Sequence, residues 1–465
     1  MQKSIDISIP QGIPLTNSSV DVNSGAAIKN NYFDGLPVSR GHFGLFLIIV
    51  LAYFFEQLDN NNFSFVAPAL IKSWGITMED IAHITSLYFV GMTLGGLLGG
   101  VISDFIGRRK TFLASIVIFS VASIANGFAS NLTIFAISRA ITGFGIFCMM
   151  VVSIAYISEM SPGESRGKWQ NITAGFGFLA MPVIGVIARM VVPMHDEAWR
   201  YIFWMGGLGL IGFLFGLKYL KESPRWLVTK GRVAEAEQIM FELTGRRVDL
   251  SEAAKKVQPR ENVKEVLIGM FSRNYIKRTI VLLISFFGSC IPGFMFMAWT
   301  PTLLQQKGFT LEQSLFASSL IILGAPIGCI LSSFVSDKGG RKIPIGVMAL
   351  CFAALAMVFA NLGNNLTLLI LVGMGMNAFN LASSFTLFSY VAESYPTKMR
   401  NTATGFHNAM GRLSVAGSQL MVPVIYAKFG FAGVFTTIAT CLIILGLTVL
   451  IFGERTGGKS LEEIT

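Results

Sequence analysis

The sequence predicts an all-α polytopic membrane protein with twelve transmembrane helices in two pseudo-symmetric six-helix bundles. Three observations support this fold class: the composition, the recurrence of long apolar segments, and an internal repeat. Of the 465 residues, 53% are hydrophobic and only 13% are charged, whereas about 25% of a soluble domain is charged. A soluble fold already has a surface that is roughly 55–60% apolar. The composition therefore excludes a soluble enzyme, a disordered chain and a secreted disulfide scaffold.

Apolar segments long enough to cross a hydrocarbon core of about 30 Å recur from Phe43 onward. In the first half of the chain the predicted spans are 43–66, 81–103, 111–129, 132–156, 170–192 and 200–220. In the second half they are 278–304, 313–336, 343–361, 366–391, 402–427 and 430–453.

These spans divide the chain into five regions. The first 40 residues are polar, and no apolar run follows the initiator Met, so we expect a disordered tail without a cleavable signal peptide. The predicted regions are a cytosolic tail at 1–40, an N-terminal bundle at 41–220, a cytosolic loop with short helices at 221–277, a C-terminal bundle at 278–453 and a second cytosolic tail at 454–465.

The distribution of basic residues predicts the orientation. With both termini in the cytosol, 29 of the 36 Lys and Arg residues fall on the cytosolic side, as the positive-inside rule requires. We therefore expect a plasma or inner membrane protein with both termini cytosolic. Most of the basic residues lie in loops between apolar segments, so we expect no nucleic-acid partner. The five cysteines lie inside apolar runs and the four histidines are scattered, so we expect no metal and no cofactor.

The two halves of the chain repeat each other. Corresponding motifs are separated by 233 or 234 residues, which indicates two bundles related as parallel repeats. Asp104-x-x-Gly107-Arg108-Arg109 recurs as Asp337-x-x-Gly340-Arg341-Lys342, Glu159-x-x-Pro162-x-x-x-Arg166 recurs as Glu393-x-x-Pro396-x-x-x-Arg400, and Gly91 with Gly95 recurs as Gly324 with Gly328.

These motifs resemble the major facilitator superfamily over nearly the whole chain after residue 40. The loop from Gly100 to Arg109 is similar to the family's signature loop, with Phe105 where a basic residue is usual. The segments 139–145, 222–227 and 454–463 resemble the sugar-porter-like branch. The segment from Glu393, followed by Arg412, is similar to organic-ion, niacin-type and aromatic-acid transporters, and 286–293 lacks the paired Gln of hexose carriers.

The resemblance also implies which residues act as gates. It implies that the signature loop and its repeat hold the bundles together while the cytosolic side is closed, and that acidic–basic pairs behind them break when it opens. An exposed static pair is the alternative for each. The gating candidates are Gly100, Asp104, Gly107, Arg108, Arg109, Asp337, Gly340 and Arg341, with the pairs Glu159–Arg166 and Glu393–Arg400.

Charged residues inside spans are functional candidates, because each costs at least about 2.5–3.5 kcal/mol at mid-bilayer. Glu56 and Asp59 are three residues apart on span 1, and Arg139 on span 4 is a suitable counter-charge for Asp59. Burial opposes the charged form of a carboxyl and a cation favours it, so Asp59 is a candidate for proton exchange. Glu56 is a second candidate, and a static ion pair is the alternative.

Arg412 is the candidate substrate ligand. It lies twelve residues beyond Arg400, about 18 Å along the helix, with Asn408 on the same face. A guanidinium at this depth can bind a substrate carboxylate through two hydrogen bonds, and pairing with backbone carbonyls or a distant acid is the alternative. Further candidates for the solute cavity, each with a packing alternative, are Asn377, Asn380 and Ser384 on span 10 and Trp299 on span 7.

Together these features predict a monomeric secondary transporter that moves a small organic anion with a proton, by alternating access in the lipid bilayer. A carrier of a sugar, polyol or other neutral solute is the second hypothesis. A membrane nutrient receptor that does not transport is the alternative of another class. Uptake and efflux are both compatible with the sequence.

Overall fold

A computed structural model describes residues 32–34, 39–255, 263–335 and 340–455, and all regular structure among them is helical. Most of the two predicted tails, and Asp337 in the repeated loop, lie outside the described residues. The first bundle, called the N bundle, contains α1 (Arg40–Trp74), α2 (Met78–Ile106), α3 (Arg108–Phe128), α4 (Leu132–Met160), α5 (Gly163–Phe178), α6 (Ala180–Val191), α7 (Trp199–Trp204) and α8 (Gly209–Tyr219).

Four short helices follow before the second bundle, called the C bundle. The short helices are α9 (Pro224–Thr229), α10 (Val233–Thr244), α11 (Ser251–Lys255) and α12 (Val263–Met270). The C bundle contains α13 (Ile276–Gln306), α14 (Leu311–Ile322), α15 (Gly324–Val335), α16 (Lys342–Asn361), α17 (Leu366–Glu393) and α18 (Thr397–Phe452).

Within the described residues, eleven helical segments are long and apolar enough to cross a membrane, and the last of them crosses twice. The 56 residues of α18 would span about 84 Å as one helix, but Gly430 has a non-helical conformation in the middle. Arg278 contacts the carbonyl of Ser394 just before α18 and the carboxylate of Glu454 just after it. The chain therefore turns back at Gly430, and the predicted twelve-helix fold is confirmed.

Because twelve is an even number, both ends of the described chain lie at one membrane face, called here the terminal face. The other is called the opposite face. Helices that begin at the opposite face carry matching caps in the two halves. Asn131 accepts a hydrogen bond from the backbone N–H of Ile134, and Asn365 accepts one from that of Leu368, as expected of Asn at a helix N-cap.

The repeat predicted from the glycines is present in the packing. A Cβ at Gly91 or Gly95 of α2 would lie 2.0 or 2.2 Å from a carbonyl oxygen of α4. A Cβ at Gly324 or Gly328 of α15 would lie 2.1 or 2.3 Å from a carbonyl oxygen of α17. Each pair of helices therefore approaches backbone to backbone, and only glycine fits at these four positions.

The two bundles touch closely in their opposite-face halves. A Cβ at Gly185 of α6 would lie 2.7 Å from the Cβ of Ser319 on α14. One turn closer to that face, the Arg189 guanidinium lies 4.3 Å from the centre of the Phe316 ring. The bundles are therefore in contact near the opposite face.

The first part of the stretch between the bundles packs under the N bundle, whereas α12 packs against the C bundle. The buried face of α10 consists of Ala236, Ile239, Met240 and Leu243. The hydroxyl of Ser39 donates a hydrogen bond to the carbonyl of Leu243. This contact ties α10 to the start of α1.

Replacement of Gly95 by Val should destabilise the N bundle. The added carbons would overlap the α4 backbone, and overpacking of this kind costs about 1–3 kcal/mol or more. Thermal unfolding of the purified protein should show a lower midpoint for Gly95→Val and, because the repeat is equivalent, for Gly328→Val. Gly44→Ala is the matched control, since nothing lies within 4 Å of its Cβ position. An unchanged midpoint for Gly95→Val would contradict the close packing of α2 and α4.

Candidate functional site

The first buried charge centre lies wholly inside the N bundle. Asp59 of α1 is fully buried and Arg139 of α4 is 1% exposed, and Arg139 Nη1 lies 3.8 Å from Asp59 Oδ2. The other carboxylate oxygen accepts hydrogen bonds from Ser123 of α3 at 2.5 Å and from Asn62 at 2.7 Å. The structure thus brings together the two residues that the sequence suggests as a pair, and adds two donors from the same bundle.

Aromatic rings enclose the Arg139 guanidinium. Its central carbon lies 4.3 Å from the centre of the Tyr88 ring and 5.3 and 5.6 Å from those of Phe63 and Phe203. These rings exclude water and add cation–π attraction. The Tyr88 hydroxyl donates a hydrogen bond of 2.6 Å to Asn60 of α1, which fixes the ring in place.

The second buried cation, Arg412 of α18, belongs to the C bundle but faces the N bundle. Its guanidinium carbon lies 4.8 Å from the ring centre of Phe147 on α4 and 4.6 Å from that of Phe294 on α13. Its Nη1 is buried without a hydrogen-bond partner among the described residues. The side chain therefore presents an unused donor between the bundles.

Glu56 is a buried acid close enough to Arg412 for their charges to interact. Glu56 is 1% exposed and accepts a hydrogen bond of 3.1 Å from Gln57, and its charge interacts with that of Arg412 across the bundle interface. In the described part of the structure the two groups form no ion pair within 4.0 Å. Arg412 therefore has an acidic neighbour that sequence spacing does not reveal, because the two residues lie 356 positions apart on different bundles.

The three candidates on α17 all contact neighbouring helices of the C bundle. Asn377 donates to the carbonyls of Ile321 and Ile322 at 3.3 and 3.2 Å, while its Oδ1 is buried without a hydrogen-bond partner among the described residues. Asn380 lies against Gly293 of α13, and the hydroxyl of Ser384 lies 3.3 Å from that of Ser289. All three side chains therefore meet neighbouring helices of the C bundle.

The other two cavity candidates differ from each other. Trp299 is 1% exposed and its indole donates a hydrogen bond of 2.6 Å to Gln419, which is a contact inside the C bundle. Asn408 is half-buried on α18, one turn before Arg412. Of the two, only Asn408 lies on the helix that carries the unpartnered guanidinium atom.

At the terminal face the signature loop forms a network centred on Arg108. Its guanidinium donates to Asp104 at 2.8 Å and to both oxygens of Glu159 at 2.9 and 3.0 Å. Arg109 donates to the carbonyl of Leu217 at 2.6 Å. These contacts link α2, α3, α4 and α8 within the N bundle.

Glu159 was expected to pair with Arg166, but the structure gives it another partner. Within the described residues the charge partner of Glu159 is Arg108, and Arg166 has a buried Nε without a hydrogen-bond partner. The expected pair joined residues that are near in sequence. The observed pair forms because the loop between α2 and α3 folds back over the end of α4, which brings Arg108 to Glu159. Gly100 lies on α2, and its Cβ position has no neighbour within 4 Å.

The C bundle repeats this arrangement. Arg341 donates to Glu393 at 2.9 and 2.7 Å, and Lys342, the counterpart of Arg109, donates to the carbonyl of Gly453 at 2.9 Å. Gly340 has a φ of +74° and Gly107 a φ of +106°, conformations that favour glycine. The roles of these residues and of Arg400 in gating remain proposals.

In each half, a tyrosine that was not selected from the sequence lies one turn before the glutamate of the network and hydrogen-bonds to a loop carbonyl. The Tyr156 hydroxyl donates to the carbonyl of Lys221, and the Tyr390 hydroxyl donates to the carbonyl of Glu454. The two tyrosines are 234 residues apart and each lies three residues before the glutamate of its motif. The repeat offset was therefore a signal that could have found them.

Glu222, which lies just after the last helix of the N bundle, caps α3. Its Oε1 accepts hydrogen bonds from the backbone N–H groups of Arg108, Arg109 and Ser223 at 2.8, 3.0 and 2.9 Å. A Cβ at Gly107 would lie 2.3 Å from this carboxylate. Burial raises the pKa of Glu222, and the three backbone donors oppose that rise.

The fold and these sites define a membrane transporter rather than an enzyme, and comparison with known proteins agrees. The model of the Major Facilitator Superfamily matches residues 49–419, and the chain belongs to this family. It is 28% identical to the niacin transporter NiaP of Acinetobacter baylyi, over 93% of this chain and 98% of that protein.

Two further comparisons cover most of the chain. This chain is 27% identical to the 4-hydroxybenzoate transporter PcaK of Pseudomonas aeruginosa, over 91% of this chain and 95% of PcaK. A partially occluded inward-open structure of the xylose transporter XylE from E. coli matches 90% of this chain and 99% of its own, with a TM-score of 0.74 and 18% identity. The structural match shows that the fold is shared.

Replacement of Glu222 by Gln should change how thermal stability depends on pH. A carboxyl whose pKa is raised by folding stabilises the fold below its unfolded pKa, and this contribution is lost as the pH rises through the folded pKa. The melting temperature of wild type relative to Glu222→Gln should therefore fall as the pH is raised from acidic to neutral.

Glu222→Ala provides the comparison variant. It leaves three backbone donors without their acceptor, which costs about 1–3 kcal/mol, so its melting temperature should be lower than that of Glu222→Gln at every pH. A wild-type curve that runs parallel to that of Glu222→Gln would show that the carboxyl does not titrate differently in the folded state.

Proposed function

We propose that this protein is a proton-coupled symporter that moves a small organic carboxylate by alternating access. The observation that carries the proposal is Arg412, a guanidinium buried between the bundles whose Nη1 has no hydrogen-bond partner in the described part of the chain. A substrate carboxylate there would accept charge-assisted hydrogen bonds in a site of low dielectric. Binding at the bundle interface places the solute where rocking of the bundles can expose it to either side.

The surroundings of Arg412 favour an aromatic acid. The rings of Phe147 and Phe294 lie on the guanidinium, and Tyr53 and Tyr88 are close enough for their hydroxyls to interact with its charge. A planar ring attached to the carboxylate would pack against such walls. The relatives named for niacin and 4-hydroxybenzoate transport support this substrate class.

The neutral-solute alternative has less support. The side-chain donors of Asn377 and Trp299 are already used within the C bundle and are not available to a sugar hydroxyl. The resemblance to XylE concerns the fold. A receptor that binds without transport has no use for two matching charge networks at one face, and both networks are present around Arg108 and Arg341.

The two faces supply the gates of this cycle. Contacts such as Gly185 with Ser319 close the opposite face, while the networks of Asp104, Arg108 and Glu159 and of Arg341 and Glu393 lie at the terminal face. In this proposal the terminal face is cytosolic, the membrane is the cell membrane, and the protein works as a monomer. The coupled proton is carried by a carboxyl of α1.

Loss of the guanidinium should weaken carboxylate binding. A hydrogen bond to a charged group contributes roughly 1.5–3 kcal/mol, so Arg412→Ala should raise the Kd of nicotinate or 4-hydroxybenzoate about ten- to a hundredfold. Arg412→Lys should restore only part of the affinity, because an ammonium lacks the planar fork. Calorimetry or a thermal-shift titration with the purified protein measures these affinities.

The amide analogues test whether the charge itself is recognised. Nicotinamide and 4-hydroxybenzamide should bind wild type more weakly than the acids and should lose little further affinity in Arg412→Ala, since the pairing is already absent. Equal binding of acid and amide to wild type would overturn the organic-anion proposal. Tighter binding of D-xylose than of any carboxylate would favour the neutral-solute carrier.

A bulky residue at Gly185 should hold the opposite face open. The Cβ of Gly185→Leu would overlap Ser319, so the two bundles could not close there. Spin labels at Asp196→Cys and Asn364→Cys, in a background without the native cysteines, should show a longer distance distribution in Gly185→Leu than in the parent. Gly167→Leu, whose Cβ position has no neighbour within 4 Å, is the control. Identical distributions would show that this contact does not gate the opposite face.

A further inference from the structure

We infer that Glu56, rather than Asp59, binds the transported proton, and that a substrate carboxylate on Arg412 drives this protonation. The inference rests on the proposed function and specifies its coupling site. One proton from the aqueous opening adds to a Glu56 carboxylate oxygen when the solute binds. The same proton returns to water on the other side when the solute leaves.

Asp59 has partners that stay with it, although its Oδ2 accepts no hydrogen bond among the described residues. Its donors Ser123 and Asn62 and its counter-charge Arg139 all belong to the N bundle, which moves as one body when bundles rock. None of these partners is replaced by a solute at Arg412. Neither substrate binding nor separation of the bundles therefore removes a partner of the Asp59–Arg139 pair.

Glu56 has the surroundings of an acid that must change state. Apart from the hydrogen bond from Gln57, the group that balances its charge is Arg412 on the other bundle. The titratable groups that face Glu56 are Tyr53 and Asp59 from α1, Tyr88 from α2 and Arg412 from α18. Behind these, Arg139 of α4 lies against Asp59, and Cys290 of α13 lies close to Arg412. Arg412 is thus the cation that Glu56 depends on.

Substrate binding means that Arg412 no longer balances the charge of Glu56. A carboxylate that occupies Arg412 neutralises it and adds a second negative charge beside Glu56. Two carboxylates that share one buried site do not both remain ionised, so one of them takes a proton. By linkage, a bound proton on Glu56 strengthens carboxylate binding by the same factor. The cross-bundle position of the pair thus couples proton to solute without a further relay.

The test measures protons bound on addition of nicotinate and, separately, of 4-hydroxybenzoate to the purified protein in weakly buffered solution with a pH indicator. Wild type should take up about one proton per solute bound, and its Kd should rise up to about tenfold per pH unit on the alkaline side. Glu56→Gln, which mimics the protonated acid, should bind with no proton uptake and with a Kd independent of pH.

Two further variants are measured in parallel. Asp59→Asn should retain solute-linked proton uptake, whatever its effect on affinity. Glu79→Gln, at an exposed acid near the start of α2, is the matched control and should behave as wild type. Proton uptake that persists in Glu56→Gln and disappears in Asp59→Asn would overturn the inference and assign the proton to Asp59. Melting curves and gel filtration identify any variant that does not fold.

A measurement without solute separates failure of the inference from failure of the proposed function. Infrared spectra recorded against pH show the band of a protonated carboxylic acid, and the band lost in Glu56→Gln belongs to Glu56. In Arg412→Gln, where the counter-charge is absent, this band should form at a higher pH than in wild type. If no carboxylate binds wild type, the proposed function fails. The infrared measurement still tests whether Arg412 controls the protonation of Glu56. A Glu56 band that does not respond to Arg412→Gln would overturn the inference.

Discussion

The balance of buried charge is the constraint on which the rest of the structure depends. An ionised side chain inside the membrane is tolerated only with a partner of opposite charge or with hydrogen bonds. The N bundle meets this requirement internally, with Asp59 and Arg139 enclosed by hydrogen bonds and aromatic rings. Apart from the hydrogen bond from Gln57 to Glu56, the charges of Glu56 and Arg412 are balanced across the interface between the bundles. In the proposed function, this interface is where the solute binds.

The internal repeat divides structural and functional tasks between the bundles. Both halves share the close helix packing at glycine and the arginine–glutamate networks at the terminal face. The buried charges are not shared. The acids Glu56 and Asp59 lie in the N bundle, and Arg412 lies in the C bundle, so a solute anion and a proton bound there would join the two bodies.

Several parts of this arrangement could be predicted from residues close in sequence or linked by the repeat. The spans followed from apolar length. The pairing of Asp59 with Arg139 was expected because Arg139 is a cation inside span 4. The partner of Glu159 could not be predicted in this way, since the turn at Gly107 carries Arg108 over the end of α4. Asn377 and Ser384 lie on one span at helical spacing, but this spacing does not show which neighbouring helix their side chains contact.

The sequence by itself determined the membrane environment, the twelve helices, the twofold repeat and the family to which the chain belongs. The first two depend on composition and on the length of the apolar segments, and the last two depend on motifs and their spacing. None of them requires knowledge of which helices pack together. Only the tertiary structure decided that Glu56 faces Arg412, that Glu222 caps α3 and that Arg108 binds Glu159. Each of these contacts joins residues that are far apart in the chain. Helix packing selects the partner of each residue, and the spacing of residues in the sequence does not encode that packing.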